Sequence, residues 1–307
     1  MESHTFADCT GVAKGFPAGP SFLKQRLDAL RRSQNPDGGW GYFAGRKSWL
    51  EPTAYATMAL HGEPAADRAW KLLSSWQTAD GGWRPSEAAR DAGWGSSICL
   101  TIALGRKEWQ NPSRSPALQK SLSWLLETAG AESNWFLIAA HFFRGGRDFS
   151  LHGWPWKPGD SSWVEPTSHA LVALKQAAQH YPSAKLKDRV RVGEAQLLDV
   201  RSRDGGWNYG NAEAFGFDLP SYPETTALAL LGLQEHRDLG KAFDLADKLL
   251  EHTPSPLAGA WLTITRRLHD IKMLDINANP SEDLMLTAIE ALAAPEGNYW
   301  FLKTVGV

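Results

Sequence analysis

The chain has 307 residues, of which 43% are hydrophobic and 21% are charged, a composition that is ordinary for a globular protein with one large or two small domains. A balance of 32 Lys and Arg residues against 34 Asp and Glu residues gives a net charge of −2, which argues against nucleic acid as a partner. Two cysteines, no secretory leader pattern and no run of ~20 apolar residues predict a cytoplasmic protein without a transmembrane segment.

A short repeat occurs three times in the sequence, each time directly after a polar, helix-forming segment. It is Gln34-Asn-Pro-Asp-Gly-Gly-Trp40, then Gln77-Thr-Ala-Asp-Gly-Gly-Trp83, then Arg201-Ser-Arg-Asp-Gly-Gly-Trp207. Asp-Gly-Gly supplies residues that tolerate positive φ where a helix ends and the chain turns. We therefore expect each repeat to end an outer helix, and its tryptophan to belong to the scaffold.

A second element lies a loop's length after these turns. It has the form Trp-x-Glu-Pro-Thr at 49–53 and 163–167, and a relaxed copy runs from Tyr222 to Ala227. Proline suits the first turn of a helix, and a carboxylate placed there faces the positive end of the helix dipole. Each copy therefore predicts a helix start that carries a glutamate, and these residues are Glu51, Glu165 and Glu224.

Two kinds of helical segment are recognisable from hydrophobic periodicity. Segments that are apolar nearly all round are typical of buried helices, and segments with a polar face are typical of surface helices. The apolar runs are 53–61, 95–105, 134–143, 166–178, 223–234 and 257–268. The amphipathic runs are 20–33, 64–77, 115–127, 185–199, 239–251 and 283–294.

This pattern predicts an all-α fold, a single α/α toroid with about six inner and six outer helices. We expect the toroid to span residues 20–307, after an N-terminal segment at 1–19. The assignment of 134–143 to the inner set stays open, because Asp-Gly-Gly-Trp is missing there and Gly-Trp-Pro-Trp stands at 153–156 instead.

The repeats resemble the Gln-x-x-Asp-Gly-Gly-Trp repeats of the prenyltransferase and squalene cyclase superfamily, whose members share an α/α toroid. Two copies match completely, and the third has Arg201 in place of Gln. The resemblance covers roughly residues 20–295. It implies a structural role for the repeat, in which Gln and Trp tie neighbouring outer helices together.

The resemblance also directs attention to the three glutamates. Squalene-hopene-type cyclases begin with a protonating Asp-x-Asp-Asp before Thr-Ala, a motif that this sequence lacks. Superposition of the Thr-Ala pairs places Glu51 and Glu224 at the central aspartate, and Glu165 takes the same place before Thr-Ser. The catalytic candidates are therefore Glu165, Glu51 and Glu224, with Glu165 favoured because His169 lies four residues further on the same helix face. The alternative is that all three only start helices.

Metal-dependent chemistry is disfavoured by the same comparison of motifs. Protein prenyltransferases hold zinc through Asp-x-Cys and a histidine before a threonine, whereas this chain has no Asp-x-Cys and carries Pro52 before Thr53. An aspartate-rich box for magnesium and diphosphate is also missing from the sequence. We expect no metal and no cofactor.

Aromatic residues at or within the apolar runs are expected in part to face the central hole, where ring faces stabilise a passing cation. Trp154 and Trp156 belong to this aromatic group. The candidates for contact with an apolar, isoprenoid-like ligand are Trp49, Tyr55, Trp94, Trp135, Phe142, Trp163, His169 and Tyr222.

The sequence thus predicts a terpene cyclase-like protein that acts on an isoprenoid in an aromatic cavity, of the class II type if it is an enzyme. The missing acid motif leaves open a non-catalytic toroid that binds an apolar ligand or a partner protein. A carbohydrate-active toroid with paired carboxylates is a further alternative. The oligomeric state stays open, as does docking on a membrane through a patch near Phe142 and Phe143.

Overall fold

The computed structural model describes residues 20–111, 113–132, 147–214, 217–272 and 281–306. Its helices are α1 (Pro20–Ser33), α2 (Leu50–Ala59), α3 (Pro64–Ser75), α4 (Ser96–Gly105), α5 (Ser115–Glu127), α6 (Val164–Ala178), α7 (Ala184–Asp199), α8 (Pro223–Gly232), α9 (Gly240–His252), α10 (Pro256–Leu268) and α11 (Leu284–Ala293). Short 3-10 helices occur at Glu108–Gln110 and Tyr299–Leu302, and the strands β1 (Glu213–Ala214) and β2 (Phe217–Asp218) pair antiparallel.

Six of these helices form a closed inner ring. Each helix of the ring packs on the next in the order α2, α4, α6, α8, α10 and α11, and α11 packs on α2. All ten residues of α2 and nine of the ten in α4 are buried. Burial on every side explains why these segments are apolar all round.

The other five described helices form an outer layer. α1 packs on α11, α3 on α2, α5 on α4, α7 on α6, and α9 on α8. Each outer helix buries a stripe of apolar residues and keeps a polar face, as Ala65, Ala69 and Leu73 show in α3. The predicted all-α toroid is therefore confirmed. No helix within the described ranges is long and apolar enough to cross a membrane.

The prediction that 283–294 forms an outer helix is wrong. α11 lies in the inner ring between α10 and α2, and eight of its ten residues are buried. Its sequence has a polar appearance because of Glu290, but the carboxylate of Glu290 is buried and accepts a hydrogen bond at 2.7 Å from Nε of Arg26 in α1. Because the charge of Glu290 is buried in an ion pair, an inner helix has the sequence pattern of an amphipathic one.

The Asp-Gly-Gly turns join outer helices to the inner helices that follow. Gly38 has a φ of +95°, in the left-handed region that glycine adopts without strain. A Cβ on Gly39 would lie 2.6 Å from the hydroxyl of Ser48, so the second glycine is required by close approach. Asp37 fixes the same turn, since its carboxylate accepts hydrogen bonds from Gly39 N–H and from Ser48 at 2.9 Å each.

The repeat tryptophans fasten the two layers together. The indole Nε1 of each donates to the carbonyl ten residues earlier in the preceding outer helix, and the backbone N–H donates to a hydroxyl in the first turn of an inner helix. These contacts join Trp40 to Leu30 and Thr53, Trp83 to Leu73 and Ser96, and Trp207 to Leu197 and Thr226, at 2.6–3.0 Å.

Trp154 is a fourth copy of this fastening that lacks the sequence signature. Its Nε1 donates to Leu125 O at 2.8 Å, and its backbone N–H donates to Thr167 Oγ1 at 2.9 Å. Leu125 lies 29 residues upstream instead of ten, so a longer connection hides the repeat. Trp154 therefore belongs to the scaffold and not to the central cavity. The run 134–143 falls within this connection and lies outside the described residues.

The glutamines tie neighbouring outer helices, as the resemblance implied. The amide of Gln34, at the end of α1, donates to Gly38 O and to Ala65 O in α3 at 2.8 and 2.9 Å. Gln77 reaches α5 in the same way. Arg201 replaces Gln in the third copy and keeps the turn, since its Nε donates to Gly205 O at 2.8 Å.

Residues 298–304 cross the end of the toroid at which the inner helices finish. Asn298 donates to the last carbonyls of α2, at 3.1 and 3.2 Å. Gln176 of α6 donates to Phe301 O at 2.6 Å, and Gln234 after α8 donates to Leu302 O at 2.8 Å. Phe301 is 1% exposed. This segment covers the far end of the inner ring, so the opposite end is the one available for a ligand.

Candidate active site

A cavity of about 190 Å³ lies on the axis of the toroid, at the end where the inner helices begin. Five inner helices contribute side chains from their first two turns, and three residues from the segments between helices complete the wall, namely Tyr42, Trp94 and Trp156. The lining residues are Tyr42, Glu51, Tyr55, Trp94, Trp156, Glu165, Glu224, Leu257, Trp261, Met285 and Ile289. The N-terminal ends of the inner helices therefore converge on one cavity.

The lining follows the helical register. The second residue of each contributing helix forms an upper layer, with Glu51, Glu165, Glu224, Leu257 and Met285 in α2, α6, α8, α10 and α11. The sixth residue, one turn further in, forms a lower layer that contains Tyr55, His169, Trp261 and Ile289. Residues four apart lie on the same helix face, so parallel helices stack these positions around the axis.

The three predicted glutamates thus meet in the upper layer. Of the described residues that line the cavity, none is basic. Three carboxyl groups in one cavity without a cation cannot all ionise at ordinary cost, because each negative charge disfavours the next. The site is built to keep at least one of its acids protonated.

Glu165 is the acid most affected by this arrangement. The residue as a whole is half-buried, because one side of it faces the cavity. Its carboxyl group, however, is surrounded by protein atoms. Burial raises the pKa of Glu165 to about 8, and the charges of Glu224 and Glu51 contribute to the rise. The positive ends of the helix dipoles favour the ionised form, but burial outweighs them. The Glu165 carboxyl therefore keeps its proton at neutral pH.

Glu51 and Glu224 occupy different surroundings. Burial raises the pKa of Glu51, and hydrogen bonds from its own backbone N–H, from the Tyr42 hydroxyl at 3.1 Å and from the side chain of Trp94 oppose the rise. The pKa of Glu224 is raised by burial alone. Three acids at equivalent helix positions therefore have three distinct environments, which is how one site separates the roles of several acids.

Aromatic rings surround the glutamates. Trp94 meets Trp156 edge to face at 4.9 Å between ring centroids, and Tyr55 meets Trp261 in the same manner at 5.6 Å. Ring faces carry negative potential and attract cations more strongly when water is excluded. Such a wall can contact an apolar ligand and can also stabilise a positive charge on it.

His169 lies behind Tyr55 in the lower layer. The Tyr55 hydroxyl is 3.1 Å from Nε2 of His169, and the imidazole ring is 5.6 Å from the rings of both Trp94 and Trp261. Burial lowers the pKa of His169 to about 3, so the ring is neutral. It contacts the cavity through Tyr55.

The predicted aromatic residues have different positions. Tyr55 and Trp94 line the cavity, as does Trp156. Trp49 and Tyr222 directly precede α2 and α8, are 41% and 44% exposed, and do not line the cavity. Trp163 precedes α6, is half-buried and does not line the cavity. Trp135 and Phe142 are outside the described residues.

Sequence reasoning missed part of the wall. Tyr42 follows the first repeat tryptophan by two residues, and Leu257, Trp261, Met285 and Ile289 come from α10 and α11. A signal for Trp261 was available, because it is the sixth residue of its helix, as Tyr55 is of α2. The aliphatic residues of α11 were hidden by its assignment to the outer layer.

Comparison with known proteins gives one related sequence and several shared folds. No protein-family model matches the chain. Drimenyl diphosphate synthase from Streptomyces showdoensis is 26% identical over 232 residues, which are 71% of this chain and 37% of that protein. The chain therefore spans little more than a third of the length of this curated relative.

Two solved structures illustrate the fold comparison. An inactive variant of an α-1,6-mannanase from Salegentibacter, in complex with α-1,6-mannotriose, superposes with a TM-score of 0.59 and 8% identity, covering 89% of this chain and 99% of the mannanase. ent-Copalyl diphosphate synthase from Streptomyces platensis gives a TM-score of 0.49 and 18% identity, with 87% and 45% covered. The superposition on the mannanase shows only that the two proteins share the α/α toroid fold. The resemblance to the terpene cyclase-like superfamily is confirmed by the sequence match to drimenyl diphosphate synthase.

Proposed function

We propose that this protein is a terpene cyclase-like enzyme that protonates an alkene of a prenyl substrate in the axial cavity, with Glu165 as the acid. The observation that carries the proposal is that Glu165 shares an aromatic-lined cavity with two other carboxyl groups, surroundings that raise its pKa to about 8. The similarity to drimenyl diphosphate synthase supports a prenyl substrate. Glu165 thus takes the place of the missing Asp-x-Asp-Asp acid.

The driving force comes from the charge that forms. A carboxylic acid with a raised pKa is a weak donor towards water, but proton transfer to an alkene leaves a carbocation next to the new carboxylate. The other glutamates and the faces of Trp94, Trp156 and Trp261 then stabilise the cation. These interactions act in the transition state and are absent with the neutral substrate, which is the condition for catalysis.

The dimensions of the cavity limit how the substrate binds. A volume of about 190 Å³ is below the roughly 300–1,000 Å³ of ordinary ligand sites. The cavity would therefore take the reacting end of a prenyl chain while the remainder lies in the mouth. The exposed residues Trp49 and Tyr222 directly precede α2 and α8 at this end of the toroid, and the ring of the exposed Tyr209 lies 5.4 Å from that of Tyr222.

A substrate panel tests this proposal. The protein is incubated with farnesyl diphosphate, geranylgeranyl diphosphate and squalene, and extracts are searched by mass spectrometry for cyclised isomers of unchanged mass. Glu165→Gln is expected to lower turnover by at least about a hundredfold, the usual contribution of a general acid. Glu127→Gln, at an exposed glutamate of α5, is the matched control and should match the wild type.

The panel also separates the alternatives. Undiminished turnover by Glu165→Gln would overturn the acid assignment. A tightly held isoprenoid without any turnover would favour the non-catalytic toroid. α-1,6-Mannotriose is included because a mannanase shares the fold and glycosidases use paired carboxylates, and its hydrolysis would replace the proposal with a glycosidase.

A further inference from the structure

The glutamates occupy one side of the axial cavity, and a different kind of surface occupies the other. α10 and α11 stand between α8 and α2 in the inner ring. They contribute Leu257 and Met285 to the upper layer, at the positions that hold glutamate in α2, α6 and α8, and Trp261 and Ile289 to the lower layer. These four residues are termed the apolar side of the cavity.

The two sides differ because their helices are capped differently. In α10 the Ser255 side chain accepts a hydrogen bond from the Ala258 N–H at 3.2 Å, and in α11 the Asp283 carboxylate accepts one from the Met285 N–H at 2.8 Å. Among the described helix starts, the N-cap residues of α2, α6 and α8 make no side-chain capping bond. A helix with a polar cap needs no carboxylate inside its first turn. Its second residue is therefore available to present hydrocarbon to the cavity.

The apolar side lies opposite Glu165. α6 and α11 are three positions apart in either direction around the six-helix ring, so they face each other across the axis. Glu165 of α6 therefore has Met285 and Ile289 across the cavity. Leu257 and Met285 are half-buried and pack against the core while they line the cavity. Apolar surface that the protein leaves uncovered in this way gains free energy when a hydrocarbon ligand covers it.

We propose that Leu257 and Met285 are specificity-determining residues, which hold a prenyl chain across the axis from Glu165 and so select the double bond that receives the proton. The proposal rests on the proposed function for the identity of the acid. A cavity of about 190 Å³ takes the reacting end of the chain, so the side chains on its wall limit how far that end enters. A change in the volume of the apolar side therefore moves a different double bond next to Glu165.

Affinity for farnesyl diphosphate tests whether the apolar side holds the chain. Calorimetric titration in a Glu165→Gln background keeps the ligand from being consumed. Adding Met285→Gln should weaken binding at least about tenfold, because its amide loses water when hydrocarbon covers it. Leu257→Gln should act in the same direction. Met285→Leu restores an apolar side chain of similar volume and should bind within about threefold of the background protein.

Leu286→Gln is the matched control for these titrations. Leu286 follows Met285 in α11, is half-buried and lies outside the described lining of the cavity. A polar amide at this position tests whether a change in the stability of α11 is enough to weaken binding. The control should bind farnesyl diphosphate as the background protein does, and equal weakening by Leu286→Gln and Met285→Gln would overturn the proposal.

Turnover in D2O by proteins that retain Glu165 tests the selection of the double bond. The carbon that receives deuterium is located by fragmentation of the product in the mass spectrometer. Met285→Ala gives the chain room to shift, so the ratio of the main deuterated isomer to all others should fall at least about tenfold, since one methylene in an apolar site is worth roughly 10–200-fold.

The two measurements separate this proposal from the role of Glu165. Unchanged affinity in Met285→Gln and Leu257→Gln, with an unchanged position of deuterium in Met285→Ala, would overturn the proposal and leave Glu165 as the acid. Binding that depends on Met285 in a protein whose wild type has no turnover would support the apolar side as a binding surface and overturn the acid. The absence of any binding of farnesyl diphosphate would overturn both.

Discussion

At the scale of single residues, the surroundings of Glu165 set its pKa apart from those of the other two cavity glutamates. The residue occupies the same helix position as Glu51 and Glu224, and it is the glutamate with two other carboxyl groups acting on it. The Trp-x-Glu-Pro-Thr motif is the same around Glu51 and Glu165, so the sequence favoured Glu165 only through His169 four residues further on. Their difference arises from neighbours outside the shared motif, such as Tyr42 and Trp94, which donate hydrogen bonds to Glu51.

Burial of Glu165 predicts a specific dependence of stability on pH. The folded protein keeps the proton up to about pH 8, whereas the unfolded chain releases it near the ordinary value of 4.5. The unfolded state therefore binds fewer protons between these values, and stability falls with rising pH by up to about 1.4 kcal/mol per pH unit. Glu165→Gln lacks this loss, so its free energy of unfolding relative to wild type should rise steadily from about pH 5 to 7.5.

Urea unfolding of both proteins at several pH values in this range measures the difference. Glu51 and Glu224 remain in both proteins, so the pH dependence of the difference reports Glu165 together with its coupling to these two carboxyl groups. The Glu127→Gln control should show a difference that does not change with pH. A pH-independent difference for Glu165→Gln as well would mean that Glu165 titrates normally in the folded state.

At the scale of elements, the repeat is a device that joins an outer helix to an inner one. Local sequence predicted three of these turns, because Asp-Gly-Gly meets local requirements for positive φ and close approach. The fourth, at Trp154, makes the same two hydrogen bonds without the motif, and only the fold brings Leu125 next to it. The error at α11 has a similar origin, because the partner of Glu290 is 264 residues away.

Removal of one fastening should have a large effect on stability. Trp83→Phe takes away the donor to Leu73 O and leaves a void between layers, since Trp83 is 2% exposed. We expect a loss of about 2–3 kcal/mol in the free energy of unfolding. Trp300→Phe, at a site that is 41% exposed, should cost less than about 0.5 kcal/mol in the same denaturant titration. Equal effects of the two changes would refute a fastening role.

At the scale of the whole molecule, closure of the ring is what assembles the site. Glu51 and Met285 belong to α2 and α11, which lie far apart in the chain but adjoin in the ring. The contact between α1 and α11 includes the buried pair of Arg26 and Glu290, with Nε and Oε2 at 2.7 Å. The predicted fold class followed from periodicity, whereas the composition of the cavity depended on this closure and on register between helices.

The buried ion pair between α1 and α11 gives a test of how an outer helix holds the last inner helix in place. Arg26→Met leaves Glu290 buried without its partner and should cost about 3–5 kcal/mol in the free energy of unfolding. The double variant Arg26→Met, Glu290→Leu removes both charges and should recover most of that loss. Lys24→Met breaks an exposed pair on the same helix and should change stability by less than about 1 kcal/mol. A double variant as unstable as the single one would contradict this account.

The most direct test of Glu165 as the initiating acid is turnover in D2O. The Glu165 carboxyl exchanges its proton for deuterium before the substrate binds, so a reaction that begins with this acid transfers deuterium to carbon. We predict cyclised product from the wild type that carries one non-exchangeable deuterium, and product from Glu165→Gln reduced at least about a hundredfold. Wild-type product without deuterium, or full deuterated turnover by Glu165→Gln, would contradict the central claim.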